Sequence, residues 1–273
     1  MSLSKAIKLI AVGQSSGLKA LLGTFEFIGG VSELIAASCR RLLTRPFYPQ
    51  LVAEQCYSLG VKSLSIAFIT ALSTGAVMSL QFGYGLERFG GKPYVPRVVG
   101  LSIFRELGPV LTCLMISGRV GSGIAAEIAS MKVTQQIDAI RALGTDPIRK
   151  LVIPRVLALI IMTPLITGMA DLFGVLGGMA ISATELNIHP DFYLNEGLFA
   201  LRSSDFTVGI AKTFFFAIII GFTGCYYGLK TEGGTQGVGQ ATTHAVVTGS
   251  ILITIFDFVL TKFFWIFESG LEL

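Results

Sequence analysis

The sequence predicts an all-α integral membrane protein with five transmembrane helices and an N-terminal interfacial helix. Of the 273 residues, 52% are apolar and only 14% are charged, whereas soluble domains are about 25% charged. Five apolar stretches approach the roughly 20 residues that a helix needs to cross a bilayer. They are 62–84, 98–118, 156–183, 207–229 and 245–267. We expect one domain over 1–273, with an interfacial segment at 1–50 and a transmembrane core at 62–267.

The N-terminal segment has a weaker apolar pattern than the five stretches. Leu18, Leu21, Leu22, Phe25 and Ile28 recur at helical spacing. Two glutamates, Glu26 and Glu33, interrupt this pattern, and the Arg40-Arg41 pair ends it. This favours a helix in the plane of the membrane interface. A sixth, poorly hydrophobic span is the alternative. The first sixty residues lack a signal-peptide pattern, and we expect them to remain in the mature protein.

The distribution of Lys and Arg predicts the orientation of the chain. Residues 1–62 contain seven and residues 118–156 contain six, whereas 185–206 contain only Arg202. Basic segments stay on the cytoplasmic side of a membrane. We therefore expect the N-terminus in the cytoplasm and the C-terminus outside. The 83–97 connection, with three basic residues, is more basic than an external loop should be.

Several ionisable residues lie at or inside the predicted spans. They are Arg105, Glu106, Asp171 and Asp257. An ionised side chain in the bilayer is costly unless it meets a partner or water, so each is a candidate functional residue. Because Arg105 and Glu106 are adjacent, they cannot share a helix face. Glu106 should therefore point at a cavity or at another helix, and both a substrate pathway and a purely structural pairing fit this pattern.

The segment 131–143 predicts a short amphipathic helix between the second and third spans. Val133, Ile137 and Ile140 recur on one face, and polar residues cover the rest. Gly144 suits the residue that follows a helix, and Asp146-Pro147 would stop it. Such a helix either lies on the bilayer or docks into a groove of a partner protein.

Small residues are concentrated where spans could meet. Gly174, Gly177 and Gly178 lie in the third span, and Ser117, Gly121 and Ala125 follow at four-residue spacing around the end of the second. Small residues let membrane helices approach closely. The pattern fits a specific dimer contact and also the general composition of membrane proteins.

Several classes of function are disfavoured by the sequence. The net charge of +4 is too small to indicate nucleic-acid binding, and four scattered cysteines with two histidines do not suggest a disulfide scaffold or a metal site. The chain lacks the phosphate-binding motif G-x-x-x-x-G-K-[ST], since Gly90-Gly91-Lys92-Pro93 fails in spacing and in its last residue. It also lacks the H-E-x-x-H motif and a convincing serine–histidine pairing. We expect no catalytic residues, no metal and no cofactor bound by this chain.

Longer motifs resemble a known family. They are RELGPVLT, GRVGSGIAAEIASMKVTQQIDAIRALGTDP and PRVLA within 105–158, followed by QATTHAVV at 240–247 and DFVLT at 257–261. Together they are similar to the signature of MlaE-type permeases, the membrane subunits of ABC transporters that work with MCE-domain lipid-binding proteins. The resemblance covers roughly 50–265. It implies a homodimer that moves lipids, powered by separate cytoplasmic ATPase subunits that bind ATP and Mg²⁺.

The resemblance also implies roles for particular residues. The amphipathic segment becomes a cytoplasmic coupling helix that contacts the ATPase through Lys132, Val133, Gln136, Ile137, Asp138, Ile140 and Arg141. Glu106 falls on a family glutamate near a lipid cavity, and Asp257 on a family aspartate. We expect Met78, Leu86, Phe89 and Phe104 to line that cavity with Glu106, because a lipid needs an apolar site with a few polar groups.

The remaining expectations concern location and the alternative function. The resemblance fits a bacterial inner membrane and the plastid inner envelope, and we expect the bacterial membrane because the sequence shows no transit-peptide pattern. Phospholipid is the expected cargo. An ion-coupled secondary transporter is the alternative, in which Glu106, Asp171 and Asp257 would carry protons or ions. It predicts dependence on a gradient rather than on an ATPase.

Overall fold

The computed structural model describes residues 3–42 and 48–271, and side chains over 22–42 and 48–267. Within these ranges the chain is helical and contains no strand. It divides into two units, Met1–Pro46 and Phe47–Leu273. The predicted all-α membrane fold is confirmed, because the described residues contain six helices long and apolar enough to cross a membrane.

In its described part, residues 3–42, the first unit is a single helix, α1 (Leu3–Leu42), of 40 residues. The side chains of Leu22, Phe25 and Ile28 are exposed, so this apolar face is open. Those of Leu18 and Leu21 lie outside the described part of the chain. The part of α1 from Leu22 to Leu42 meets the length and hydropathy of a span. Both an interfacial helix and a sixth membrane span fit α1, and the interfacial position stays a prediction.

The second unit is a bundle of long helices joined by short turns. Its α-helices are α2 (Pro49–Gln55), α3 (Leu64–Glu87), α4 (Val95–Ser102), α5 (Gly108–Ile116), α6 (Ser122–Val133), α7 (Gln136–Ala142), α8 (Ile153–Glu185), α9 (Pro190–Ala200), α10 (Ser203–Leu229) and α11 (Gly234–Leu271). The five predicted spans fall on α3, α4–α5, α8, α10 and α11. Helix α8 has 33 residues, which gives it a length of about 50 Å. Helices α7 and α9 consequently lie near opposite ends of the bundle.

The second predicted span is longer than expected and is not a uniform α-helix. Residues Lys92–Val133 form one helical stretch of 42 residues. Two π-helical turns, Ile103–Leu107 and Ser117–Gly121, separate α4, α5 and α6. A π-helical turn adds a residue to the helix and rotates the side chains that follow, and such turns are frequent at functional sites. The first of them contains both Arg105 and Glu106.

Glycines set the closest helix contacts of the bundle. A side chain at Gly75 would collide with the carbonyl of Gly174, and one at Gly177 with the carbonyl of Leu72. A β-carbon at Gly224 would lie 2.9 Å from the carbonyl oxygen of Gly121. The small residues noted in the sequence therefore bring α3 against α8, and α6 against α10, within one chain.

Candidate functional site

A buried lysine joins three helices in the middle of the bundle. Lys212, on α10, has 0% of its side chain exposed. Its Nζ lies 2.7 Å from Glu106 Oε2, 3.1 Å from Asp257 Oδ1, 2.7 Å from Thr261 Oγ1 and 3.2 Å from the carbonyl oxygen of Arg105. We refer to Glu106, Lys212, Asp257 and Thr261 as the Lys212 cluster.

The Lys212 cluster satisfies its own polar groups. An ammonium has three N–H donors, so the four acceptors around Lys212 share them. The hydroxyl of Thr261 donates to Glu106 Oε1 at 3.1 Å. A charge buried in an apolar interior is tolerated only when it is paired and hydrogen-bonded. The two carboxylates and the hydroxyl therefore explain how a lysine can lie inside a helix of this hydropathy.

A second ion pair lies beside the cluster. Arg105 Nη1 is 3.2 Å from Asp205 Oδ1, and Asp205 also accepts a hydrogen bond from the backbone N–H of Arg202 at the start of α10. Arg105 and Glu106 therefore point to different residues of α10. The prediction that Glu106 faces another helix and not Arg105 agrees with this geometry.

The polar groups are not equally accessible. The Glu106 side chain is 39% exposed and that of Arg105 is similarly half-exposed, whereas Lys212 is enclosed. The surrounding surface of α11 is apolar and includes Phe256 and Phe258. The site thus presents one acidic and one basic side chain at the surface of an apolar helix bundle, backed by a buried cation.

Sequence reasoning missed Lys212, Asp205 and Thr261. Lys212 is the only Lys or Arg between Ser203 and Leu229. A lone charged residue in an apolar span is the same signal that indicated Glu106, so Lys212 could have been found. Asp205 and Thr261 carry no comparable signal, because residues of these types are common at helix starts and in membrane helices.

Asp171 does not join the Lys212 cluster. It lies on α8, is 1% exposed and packs against Gly108, where any side chain would collide with it. Its Oδ1 has no hydrogen-bond partner. The three carboxylates flagged in the sequence therefore divide into a connected pair, Glu106 and Asp257, and a separate, enclosed Asp171.

The residues predicted to line a lipid cavity lie in different surroundings. Met78 and Leu86 pack against a buried cluster that includes Val95 and Leu186. Phe89 is 85% exposed. The Phe104 ring packs edge-on against Phe206, with 5.9 Å between ring centroids, and contributes to the wall of a cavity that α8 and α9 also line. Within one chain these residues do not meet around Glu106, and their lipid contacts stay predictions.

The amphipathic helix predicted over 131–143 is present only in part, because residues 131–133 end α6, Thr134 and Gln135 form a turn, and α7 covers Gln136–Ala142. Gln135, immediately before it, has a left-handed backbone with φ of 58°, and Gly144 after it has φ of 73°. The expectation that Gly144 follows the helix agrees with this geometry. Asp146 does not only end α7, because its Oδ1 accepts the backbone N–H of Ile148 and so begins the next helical turn.

Of the predicted coupling residues, Lys132 and Val133 lie at the end of α6, and the other five lie on both faces of α7. Ile137 is 1% exposed and anchors the helix to the bundle, whereas Gln136, Asp138 and Arg141 are exposed. Asp138 lies 3.7 Å from Lys132 Nζ and 3.5 Å from Arg141 Nη1. Val133 and Ile140 are half-buried. Leu143, which the sequence reading did not single out, is 82% exposed and is the apolar group that a partner could cover.

A buried arginine holds together the helices that flank α7. Arg155 Nη2, on α8, lies 2.8 Å from Glu127 Oε2, on α6, and its Nη1 donates to the carbonyl of Leu151 at 2.7 Å. The arginine is buried, while the glutamate is exposed. This ion pair therefore links α6 directly to α8, the two helices that α7 connects.

The fold and the charged groups inside it define a polytopic all-α membrane protein. Comparison with known proteins is more specific. The family described as Permease MlaE matches residues 52–263. A probable ABC transporter permease protein of Rickettsia felis is 39% identical over 257 residues, covering 94% of this chain and 99% of its own length.

Two further relatives extend the comparison. A probable ABC transporter permease protein of Synechocystis is 42% identical over 80% of this chain and 81% of its own. The chloroplastic protein TRIGALACTOSYLDIACYLGLYCEROL 1 of Arabidopsis thaliana is 35% identical over 82% of this chain and 64% of its own. The chain belongs to the MlaE permease family and is a multi-pass ABC transporter permease.

Proposed function

We propose that this permease moves phospholipids between membranes as a homodimer, driven by separate cytoplasmic ATPase subunits and working with an MCE-domain lipid-binding protein. The observation that supports it most is the half-exposed pair Arg105 and Glu106 on an otherwise apolar surface. A zwitterionic head group has a phosphate that suits Arg105 and an amine that suits Glu106. Its acyl chains suit the apolar faces of α3 and α11.

The Lys212 cluster would keep this pair in place. Lys212 Nζ binds Glu106 Oε2 at 2.7 Å, and Asp205 Oδ1 binds Arg105 Nη1 at 3.2 Å. Both side chains are thereby fixed before a lipid arrives, which lowers the entropy that binding costs. The Lys212 cluster positions the side chains that bind the head group, and the lipid does not pass through the cluster.

The same cluster argues against the ion-coupled alternative. A carboxylate that carries protons or ions must be free to release a cation and to bind another. Glu106 and Asp257 already share the ammonium of Lys212, and Asp171 is enclosed on a different helix. The curated relatives are also named as ABC transporter permeases.

Energy would reach the permease through α7. Its exposed residues Gln136, Arg141 and Leu143 form a small mixed surface at the end of the bundle opposite α9. The Arg155–Glu127 ion pair and the buried Ile137 would make α6, α7 and α8 move together when this surface is displaced. We place the protein in the bacterial inner membrane, with α7 on the cytoplasmic side, in accord with the basic residues around it.

Purification from the native membrane tests the proposal. We expect an ATPase subunit, an MCE-domain protein and phospholipid to be recovered with the permease and identified by mass spectrometry. In reconstituted vesicles, lipid movement should require ATP and should persist when ionophores remove ion gradients. Transport that needs a gradient and proceeds without ATP would overturn the proposal in favour of the secondary transporter.

Site-specific crosslinking tests the head-group site. A photoreactive amino acid at Phe258, which is exposed and follows Asp257 of the Lys212 cluster, should form lipid adducts in cells if the apolar surface near the Arg105–Glu106 pair holds cargo. Glu106→Gln should reduce those adducts, and the exposed Glu54→Gln should leave them unchanged. Equal adducts in both variants would contradict the role of Glu106.

A further inference from the structure

An apolar cavity lies between Phe104 and the helices α4, α8 and α9. Its volume is about 290 Å³, near the lower end of the roughly 300–1,000 Å³ of small-molecule sites. Phe104 from the α4–α5 junction, Val175 and Leu176 from α8, and Tyr193, Gly197 and Leu198 from α9 contribute to its wall. None of these groups directs a charge into the cavity.

Residues of one chain form the cavity, and a hydrogen bond fixes the position of the lining residue Tyr193. The hydroxyl of Tyr193 lies 3.3 Å from Ser79 Oγ on α3, so the tyrosine ring is held in place with its polar end satisfied. Gly100 of α4 and Gly197 of α9 face each other, and a β-carbon at Gly100 would be in ordinary contact, 3.8 Å from the Gly197 carbonyl oxygen. The space is therefore a feature of the packing of α4, α8 and α9.

The two ends of the cavity differ in polarity. At one end, Arg97 Nε lies 2.5 Å from Glu196 Oε2, and the guanidinium is 5.5 Å from the ring centroid of Phe199. Arg97 follows the lining residue Pro96, and Glu196 precedes Gly197. At the other end the wall continues onto Leu172 and Leu176, which are exposed on the transmembrane helix α8.

This polarity matches a lipid that enters from the bilayer. Acyl chains surround an exposed apolar face of a transmembrane helix. A cavity open to that face and left empty would forfeit the dispersion contacts of its lining. A half-exposed Arg–Glu ion pair at the interfacial end can meet the phosphate and the amine of a head group.

We propose that this cavity binds one acyl chain of a bilayer phospholipid, whose head group lies beside Arg97 and Glu196. The bound chain packs between α8 and α9 and holds α9 against the bundle. The site is separate from the Arg105–Glu106 surface and does not depend on the proposed transport function, because a single chain forms it.

Photolabelling with a defined lipid tests the site. The full-length permease is reconstituted in phosphatidylcholine vesicles that contain a phosphatidylethanolamine with a diazirine in the middle of one acyl chain. Adducts are mapped by mass spectrometry. We expect adducts on Tyr193, which is buried in the protein but lines the cavity. General contact with the bilayer is measured at the exposed Phe215 of α10.

Variants that fill the cavity provide the control. Val175→Phe should abolish the Tyr193 adduct and retain the Phe215 adduct. Leu198→Trp, at an exposed position of the rim, should give the same result and replaces Val175→Phe if that variant folds poorly. Leu165→Trp, an exposed position of α8 outside the cavity, should leave both adducts unchanged.

Three results would overturn the proposal. Labelling of Phe215 without labelling of Tyr193 would show that no acyl chain enters. A Tyr193 adduct that survives both Val175→Phe and Leu198→Trp would place the lipid elsewhere. Crosslinks from Leu198 to a second copy of the chain, in place of lipid, would show that protein covers the cavity.

Discussion

The ammonium nitrogen of Lys212 lies 2.7 Å from Oε2 of Glu106, which joins the middle of α10 to the π-helical turn between α4 and α5. The two residues differ in surroundings, since the lysine is enclosed and the glutamate is half-exposed. Loss of either partner therefore has a different consequence. Without Glu106, Lys212 keeps Asp257, whereas without Lys212 two carboxylates are left close together with no cation between them.

Removing the lysine should cost more stability than removing either acid. We expect Lys212→Met to lower the free energy of unfolding by about 1–3 kcal/mol, below the ~3–5 kcal/mol of a fully buried pair because both carboxylates retain some exposure. Adding Asp257→Asn to Lys212→Met should restore part of the loss by removing one of the two repelling charges. Thermal unfolding of the purified protein in detergent measures both effects. A double variant less stable than Lys212→Met would contradict this arrangement.

Replacing Arg155 should cost more stability than replacing its partner Glu127. Arg155 is buried and also binds the Leu151 carbonyl, so Arg155→Met should destabilise the protein by roughly 1–3 kcal/mol. Glu127 is exposed, and Glu127→Gln should cost ~0–1 kcal/mol, as is typical of surface pairs. The comparison uses the same unfolding measurement. Equal losses from the two variants would show that the ion pair itself, and not the buried arginine, carries the effect.

Two apolar residues at the ends of α7 should separate folding from partner binding. Ile137→Asp places a charge in a buried site, and we expect poor membrane accumulation of that variant. Leu143→Asp changes an exposed residue and should accumulate normally but recover less ATPase on purification. Leu143→Met serves as the matched control and should recover normal amounts. Full ATPase recovery with Leu143→Asp would remove this residue from the docking surface.

The contact between α3 and α8 should tolerate no side chain at Gly177. Gly177→Ala would push against the backbone carbonyl of Leu72, and we expect a loss of about 1–3 kcal/mol from overpacking. Gly123, in α6, has nothing within 4 Å of its missing β-carbon. Gly123→Ala should therefore leave stability unchanged or raise it by up to ~1 kcal/mol through helix propensity. Folded yield and thermal unfolding distinguish the two, and similar behaviour would contradict the close contact.

Hydropathy and helix-ending residues determined much of this fold in advance. The five stretches of the second unit are long enough and apolar enough that no soluble fold could cover them, so their helices follow from the bilayer alone. Gly144 and Asp146 mark the end of α7 through local backbone chemistry. The motifs within 105–158 were long enough to indicate the family that the comparisons show.

Only the tertiary structure decided which charges meet. Glu106, Lys212 and Asp257 are separated by 106 and 45 residues in sequence, and no local pattern relates them. Their contact depends on the close approach of α10 to the Ile103–Leu107 turn, where a β-carbon at Gly209 would collide with the carbonyl of Phe104. It also depends on the π-helical geometry of that turn, which directs Arg105 and Glu106 to separate partners. The same packing enclosed Asp171 alone and turned Phe104 toward α9, because helix rotation is set by neighbouring helices and not by composition.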